Sequence, residues 1–141
     1  MNEPNKPFVL ILCTGNSARS QMAEGLFRDA LGHAFQFASA GTRPSQVRPE
    51  AIAVMAEAGI DISGHRSKSV DEFAGHKIRC VITVCDNAKE TCPVFPGATE
   101  RIHCSFEDPA AVEGTEEERL NVFRRVRDQI REWIGTLNLQ P

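Results

Sequence analysis

The feature that most constrains this fold is a continuous apolar run, residues 8–12, which leads directly into a polar loop. After the loop, residues 13–19, apolar residues recur at helical spacing from Ser20 to Gly32. A continuous apolar run of this length is typical of a strand that is covered on both faces. The pattern therefore predicts a buried strand, a short loop and a helix, in that order.

Strands and helices alternate along the rest of the chain. The predicted strands cover residues 8–12, 35–39, 79–84 and 100–104, and the predicted helices begin at Ser20, Pro49, Val70 and Glu116. Such alternation implies right-handed crossovers and a parallel sheet. We expect an α/β fold, a three-layer sandwich with a central four-stranded parallel sheet flanked by helices, in a single domain over residues 1–141. Ligands bind such sheets at the carboxyl ends of the strands, where Cys13, Cys85 and Asp108 would lie.

The composition argues against nucleic-acid and membrane partners. The net charge is −3 and the isoelectric point is about 5.8, so the chain lacks a general basic footprint for nucleic acid. No apolar stretch approaches the length of a transmembrane helix, and the polar residues 1–7 do not resemble a signal peptide. We expect a cytoplasmic protein that is a monomer, because no feature of the sequence suggests an obligate interface.

Residues 13–20, the anion loop, have the composition of an oxyanion site. Their backbone N–H groups and the N-terminus of the following helix can converge on a tetrahedral anion. Arg19 can bind two oxygens of that anion through its planar guanidinium group, which a lysine does less well. The predicted oxyanion-binding residues are Thr14, Gly15, Asn16, Ser17, Ala18, Arg19 and Ser20.

Cys13 stands at the start of the anion loop and is the predicted nucleophile. A helix N-terminus and a nearby cation both favour a thiolate over a thiol, so we expect a reactive sulfur at neutral pH. Ser20 could donate a hydrogen bond to that sulfur or to a leaving group. The alternative is a buried cysteine at a strand end beside a surface arginine, and the complete strand–loop–helix context favours the nucleophile.

Asp108 is the predicted general acid. Pro109 restricts the preceding residue to extended conformations, so the carboxyl group is held on a defined turn. An acid placed there could protonate a departing oxygen and accelerate the reaction about 10²–10⁴-fold. The alternative is a turn or N-cap aspartate, for which an Asp-Pro pair is common, and the Cys13 loop makes the catalytic interpretation the better one.

Cys85 and Cys92 are the candidate redox pair among five cysteines, an odd number that argues against a structural disulfide framework. A disulfide requires Cα atoms within about 7 Å, so we expect the polar segment between them to rearrange. One alternative is a pair of unreactive loop cysteines. Another is a zinc site with His103 and Cys104, although the spacing lacks the close cysteine pair of structural zinc sites. Cys80 and Cys104 are predicted to be small core residues within strands.

Together these motifs resemble the thioredoxin-coupled arsenate reductases, which share a fold with the low-molecular-weight protein tyrosine phosphatases. The resemblance covers nearly the whole chain and is carried by residues 13–24, Ser39-Ala40-Gly41, Cys85 with Cys92-Pro93, and Asp108-Pro109-Ala110. The first block is specific to the wider superfamily, whereas the Cys85/Cys92 pair separates the reductases from the phosphatases. Ala110 stands where the phosphatases usually have an aromatic residue that grips phosphotyrosine.

The resemblance implies a relay of three cysteines. Cys13 would attack the arsenic(V) of arsenate, for which phosphate and sulfate are analogues, while Asp108 protonates the leaving oxygen. Cys85 would attack the Cys13 adduct and release arsenite, and Cys92 would then attack Cys85 to give a Cys85–Cys92 disulfide. Reduced thioredoxin would reset that disulfide, so the resemblance implies no bound flavin, nicotinamide or metal. The sequence leaves glutaredoxin and mycothiol open as alternative reductants.

One departure from the family pattern concerns a potassium ion that some members bind near the anion loop. Asn16, Glu24 and Ser39 match three of the ligand positions. The fourth position is Lys68, whose ammonium group would repel a cation and could pair with Glu24. We therefore predict that potassium does not activate this protein.

Two competing interpretations remain open from the sequence. A tyrosine phosphatase would need only Cys13, Arg19 and Asp108, and weak activity on small aryl phosphates is expected in either case, since the loop cannot easily distinguish phosphate from arsenate. A non-catalytic anion-binding or redox-sensing module would bind an oxyanion without producing arsenite. The combination of nucleophile, anion-binding arginine, acid and resolving thiols favours the reductase.

Overall fold

The structure is a computed structural model that describes residues 6–86 and 100–140. Its sheet consists of four parallel strands in the order β2-β1-β3-β4. The strands are β1 (Phe8–Cys13), β2 (Gln36–Gly41), β3 (Cys80–Thr83) and β4 (Glu100–His103). The α/β architecture with a central four-stranded parallel sheet is confirmed.

The helices begin and end where the sequence supplies the appropriate residues. They are α1 (Arg19–Leu31), α2 (Pro49–Glu57) and α3 (Glu116–Thr136), with short 3-10 turns at Val70–Phe73 and Pro109–Ala111. Pro49 opens α2, where its missing N–H group costs no hydrogen bond. Thr115 and Glu118 form a capping box at the start of α3. In the described part of the chain, no helix has the length and apolar character needed to cross a membrane.

Several strand ends differ from the prediction by one or two residues, and two of these differences concern residues near the site. β2 continues past Ser39 to Gly41, because Gly41 still pairs with Cys13 of β1. β4 ends at His103, so the prediction that Cys104 lies within a strand was wrong, although its side chain packs against the core. Cys104 is half-buried just beyond this edge strand, where its backbone N–H group donates to the carbonyl of Thr83 at 3.0 Å.

The two central strands are covered on both faces, which gives the fold its three layers. All of β3 and all of β1 except Phe8 are buried. α3 contributes the buried side chains Val122, Phe123, Val126, Ile130 and Ile134 to this core. Trp133 is half-buried, so Ile134 is the residue that ends the inner face of the helix.

The carboxyl ends of β1 and β3 lie side by side in the middle of the sheet. The chain crosses from β1 to β2 on one side and reaches β3 on the other, so the strand order reverses at β1. Crevices of open α/β sheets form at such a reversal. Cys13 ends β1 at this point, and Cys85 follows β3 after a single intervening residue, Val84.

Candidate active site

The anion loop turns its carbonyl oxygens toward residues 42–48. The carbonyls of residues 13, 14, 15 and 17 accept backbone hydrogen bonds of 2.8–3.3 Å from the N–H groups of Thr42, Arg43, Ser45 and Arg48. The N–H group of a trans peptide points opposite to its carbonyl, and no peptide bond in the described residues is cis. The amides of residues 14, 15, 16 and 18 therefore face the other side of the loop, where they form the row of donors that an oxyanion requires.

The N-terminus of α1 extends this row of amides. Ala18 is the N-cap residue, and no side chain of the described residues caps this end of the helix. The first-turn N–H groups of a helix lack intrahelical acceptors, and anions bind there readily. A serine or aspartate at the N-cap would compete with the anion for these donors, whereas Ala18 leaves them to a ligand.

Asn16 holds the anion loop in shape through its side chain. It adopts a left-handed backbone conformation, with φ of 48°. Its Nδ2 donates to Ser20 Oγ at 2.8 Å and to Ser39 Oγ at 2.9 Å, and its Oδ1 accepts from the Lys68 backbone N–H at 3.0 Å and from Gln21 Nε2 at 2.9 Å. The side chain is therefore fully engaged within the protein, and its backbone amide is the part directed toward an anion.

Cys13 and Ser20 are in direct contact beneath the loop. Cys13 is 2% exposed, and its Sγ lies 3.0 Å from Ser20 Oγ. Because Ser20 Oγ accepts a hydrogen bond from Asn16, its own hydrogen is available for the sulfur. A hydroxyl group in this position can stabilise a thiolate, as the sequence suggested for Ser20.

Arg19 and Asp108 meet beside the anion loop. Arg19 donates from Nη1 to the carbonyl of Phe106 at 3.1 Å, and its Nη2 lies 3.8 Å from Asp108 Oδ2. Asp108 also caps the Pro109–Ala111 turn, because its Oδ1 accepts from the Ala110 N–H at 3.0 Å. The aspartate is therefore the N-cap residue that one interpretation predicted, and it also lies next to the anion-binding arginine, as an acid for a bound oxyanion should. Its side chain is 43% exposed, so the carboxyl group is in contact with solvent.

Cys85 lies against the anion loop. It is 3% exposed, and its Sγ is 3.4 Å from Thr14 Oγ1. This contact between Cys85 and Thr14 results from the parallel pairing of β1 with β3, in which Leu12 and Thr83 are partners in register at the ends of the two strands. Cys92, the second member of the predicted thiol pair, lies outside the described residues.

The remaining cysteines of the described segments have poorly ionised thiols. Burial raises the pKa of Cys80 to about 12, with a smaller contribution from Glu100. Burial also raises the pKa of Cys104. Since the thiolate is the nucleophile and the metal ligand, these two sulfurs are poor candidates for exchange chemistry at neutral pH. Residues 6–86 and 100–140 contain no group of three or more His, Cys, Asp or Glu residues that could hold a metal ion.

The carboxylate of Glu24 is enclosed by other side chains beneath the anion loop. Ser39 donates to its Oε1 at 2.6 Å, Arg28 donates to its Oε2, and His65 Nε2 lies 3.5 Å from Oε2. Lys68 instead donates from Nζ to the Arg66 carbonyl at 3.4 Å. Lys68 therefore makes no direct ion pair with Glu24, although Glu24 opposes the effect of burial on the pKa of Lys68. Arg28, which lies one helical turn from Glu24 on α1, makes the direct pair instead.

Two basic groups near Glu24 have lowered pKa values. Burial lowers the pKa of His65, against the opposing effect of Glu24, and burial likewise lowers the pKa of Lys68. Arg28 Nη1 lies 3.0 Å from His65 Nε2, and His65 Nδ1 lies 2.9 Å from Gln21 Oε1. A neutral ring that donates from Nδ1 and accepts at Nε2 satisfies both contacts.

We expect exchange of sodium for potassium at fixed ionic strength to leave the rate of the reaction at Cys13 unchanged. The guanidinium group of Arg28 already neutralises Glu24, and the ammonium group of Lys68 adds positive charge nearby, so a further cation would be repelled. Steady-state rates in matched chloride salts test this, with Arg28→Gln as the comparison variant because it removes the guanidinium. A clear potassium activation of the unmodified protein would contradict the prediction.

Several residues that organise the site were not identified from the sequence. Gln21 is fully buried and donates from Nε2 to the carbonyl of Asn16 at 3.1 Å and to that of Arg66 at 3.0 Å. Arg48 donates its backbone N–H to Ser17 and its guanidinium to the Ala110 carbonyl at 3.3 Å, so it joins the anion loop to the turn that carries Asp108. The one available signal for Gln21 was its position within residues 13–24, the block that carries the family resemblance.

A site built this way presents an amide-lined pocket over a cysteine sulfur, with a guanidinium and a carboxyl group at its side. It defines the class of enzymes that process tetrahedral oxyanions at a cysteine. A family model described as low molecular weight phosphotyrosine protein phosphatase matches residues 8–140. The arsenate reductase of Halalkalibacterium halodurans is 47% identical over 132 residues, which cover 94% of this chain and 95% of that protein.

Two solved structures extend the comparison. An arsenate reductase in a phosphate-binding state has a TM-score of 0.69 at 34% identity, over 92% of this chain and 94% of that one. A thioredoxin-dependent arsenate reductase of Corynebacterium glutamicum has a TM-score of 0.66 at 26% identity, over 93% of this chain and 61% of that one. The chain belongs to the low molecular weight phosphotyrosine protein phosphatase family, and within it to the group of the arsenate reductases.

Proposed function

We propose that this protein reduces arsenate to arsenite by a relay of thiols that thioredoxin regenerates. The observation that carries the proposal is the position of Cys85, whose Sγ lies 3.4 Å from Thr14 Oγ1 in the anion loop. A phosphatase does not need a second thiol there. A reductase needs one, because two electrons must reach arsenic from two sulfur atoms.

The first step is nucleophilic attack by Cys13 on arsenate bound in the anion loop. The amides of the loop and the guanidinium group of Arg19 stabilise the charge on the oxyanion. Ser20 stabilises the sulfur before attack, since its Oγ is 3.0 Å away. An arsenic–oxygen bond breaks as the sulfur–arsenic bond forms, and Asp108 donates the proton that lets the oxygen leave as water.

The second step transfers the electrons. Cys85 attacks the sulfur of the Cys13 adduct, a Cys13–Cys85 disulfide forms, and the electron pair of the sulfur–arsenic bond leaves with arsenic as arsenite. Two thiols and one arsenate thus give one disulfide, one arsenite and one water. Cys92 then attacks Cys85, which frees Cys13 and leaves a Cys85–Cys92 disulfide for thioredoxin to reduce. Reduced thioredoxin fits a reducing cytoplasm, and the thiols supply both electrons without a bound flavin, nicotinamide or metal.

Coupled turnover tests the proposal directly. The protein is incubated with arsenate, thioredoxin, thioredoxin reductase and NADPH, while NADPH loss and arsenite release are followed together. We expect equal amounts of both, no arsenite from Cys13→Ser, and at most one arsenite per protein from Cys92→Ser, because its relay stops at the Cys13–Cys85 disulfide. Glutaredoxin with glutathione replaces thioredoxin in a parallel assay and should support little turnover. Absence of arsenite with the unmodified protein, together with good aryl phosphate hydrolysis, would reject the reductase in favour of a phosphatase.

A weak phosphatase activity is part of the proposal. The contact between Arg19 and Asp108 and the contact between Cys13 and Ser20 do not involve Cys85. The same groups suit attack on a small aryl phosphate, followed by hydrolysis of the phosphocysteine. This activity provides a reference reaction that uses the anion loop and Asp108 but not Cys85.

A further inference from the structure

His103 has no part in the proposed relay. Its ring contacts both Thr83 and Asp86, the residues that flank Val84-Cys85. His103 ends β4 and is the partner in register of Thr83, the last residue of β3. Its Nδ1 lies 2.7 Å from Thr83 Oγ1, and its Nε2 lies 3.0 Å from Asp86 Oδ1. One imidazole ring therefore spans both ends of the short segment that carries Cys85.

A neutral imidazole satisfies both of these contacts. In the tautomer with its hydrogen on Nε2, the Thr83 hydroxyl group donates to Nδ1 and the Nε2–H group donates to the carboxylate of Asp86. Thr83 is 5% exposed and the His103 side chain is 24% exposed, whereas the Asp86 side chain is 77% exposed. The ring is therefore anchored to Thr83 in the sheet. Through its Nε2 atom it restrains Asp86, whose side chain is otherwise exposed to solvent.

The backbone of the same segment is tied to the sheet at Val84. The Val84 N–H group donates to Leu12 at 3.0 Å, and its carbonyl accepts from Phe106 at 3.1 Å. One residue later, Cys85 lies with its sulfur against Thr14. Asp86, which contacts His103, is the residue directly after Cys85. Cys85 therefore lies between the backbone hydrogen bonds of Val84 and the side-chain contact of Asp86.

We infer that His103 is a positioning residue, which holds Cys85 through Thr83 and Asp86 so that its sulfur stays beside the anion loop. The inference rests on the proposed reductase function and adds the group that orients its second thiol. Attack on the Cys13 adduct requires the Cys85 sulfur in line with the bond that breaks, and a displacement of about 1 Å can slow such a step about 10²-fold. Because Asp86 is exposed, its contact is a mild restraint, and its loss slows the step without stopping it.

The test isolates the step in which Cys85 reacts. In a Cys92→Ser background the relay stops after one turnover, when Cys13 and Cys85 have become a disulfide and one arsenite has left. The rate of this single turnover is measured by rapid quench, through arsenite release and the loss of two thiols per protein. Hydrolysis of p-nitrophenyl phosphate by the same preparations reports on the anion loop alone.

We expect Asp86→Ala to slow the single turnover about two- to fivefold, and His103→Ala to slow it about tenfold because both contacts are lost. Asp86→Asn keeps an acceptor oxygen for Nε2–H and should restore most of the rate. All three variants should hydrolyse p-nitrophenyl phosphate at the rate of the parent. Asp86 is exposed, so its variants test the inference even where His103→Ala folds poorly.

Unchanged single-turnover rates in Asp86→Ala would overturn the inference. A parallel loss of p-nitrophenyl phosphate hydrolysis would also overturn it, since His103 would then support the whole fold and not the second thiol. If the Cys92→Ser parent itself releases no arsenite, the proposed function fails, and this outcome is distinct because it precedes any change at His103 or Asp86.

Discussion

Replacement of Cys85 by serine should lower arsenate reduction by about 10³-fold or more, while hydrolysis of p-nitrophenyl phosphate stays close to the original rate. A hydroxyl group cannot form a disulfide, so arsenic bound to Cys13 would have no source of its two electrons. The phosphatase reaction ends with attack by water and needs only the anion loop with Arg19 and Asp108. Arsenite formation and p-nitrophenol release, measured on one preparation, separate the two reactions.

Cys104→Ser is the matched control for this experiment. Cys104 is another cysteine near the carboxyl end of the sheet, but it is half-buried just beyond the edge strand β4 and burial raises its pKa. Both reactions should survive its replacement. If Cys85→Ser still releases arsenite at a normal rate, the relay assignment fails. If it loses both reactions together, Cys85 has a structural role at the strand end and no specific role in electron transfer.

The sequence predicted the strand–loop–helix unit that carries the candidate site, because the relevant signals are local. A continuous apolar run, a glycine-containing loop and helical spacing define β1, the anion loop and α1 within residues 8–32. The predicted sheet topology was then sufficient to place residues that are distant in sequence next to each other. Parallel strands place their carboxyl ends at one edge, so Cys13, Cys85 and the turn after β4 had to be neighbours once the sheet was predicted.

Contacts that depend on loop conformation could not be predicted in the same way. The position of Lys68 relative to Glu24 depends on the segment between α2 and β3, whereas Arg28 pairs with Glu24 at a helical spacing that is visible in the sequence. The approach of His65 to Glu24 and Gln21 depends on how the segment between α2 and β3 folds back over α1. Cys104 was misplaced for a related reason, since the end of a short edge strand carries little hydrophobic signal.

Gly41→Ala should disable both reactions, although this residue touches no substrate. A Cβ atom at this position would lie 2.5 Å from the Thr14 carbonyl oxygen and 2.9 Å from the Asn16 backbone nitrogen. Both atoms belong to the anion loop, and the other side of Gly41 is tied by its N–H group to the Lys68 carbonyl at 2.9 Å. The loop must therefore shift, and we expect kcat/KM for arsenate and for p-nitrophenyl phosphate to fall about 10²-fold, with a loss of about 1–3 kcal/mol in the free energy of unfolding.

Gly64→Ala is the control, because an added Cβ there meets no atom within 4 Å. It should leave activity and stability unchanged. Assays well below the thermal midpoint, with circular dichroism on the same samples, separate a displaced loop from an unfolded chain, and weaker inhibition by phosphate or sulfate would report the damaged anion site directly. Normal activity of a folded Gly41→Ala variant would show that the anion loop tolerates displacement of its amides. The amides would then not be the principal binding groups for the oxyanion.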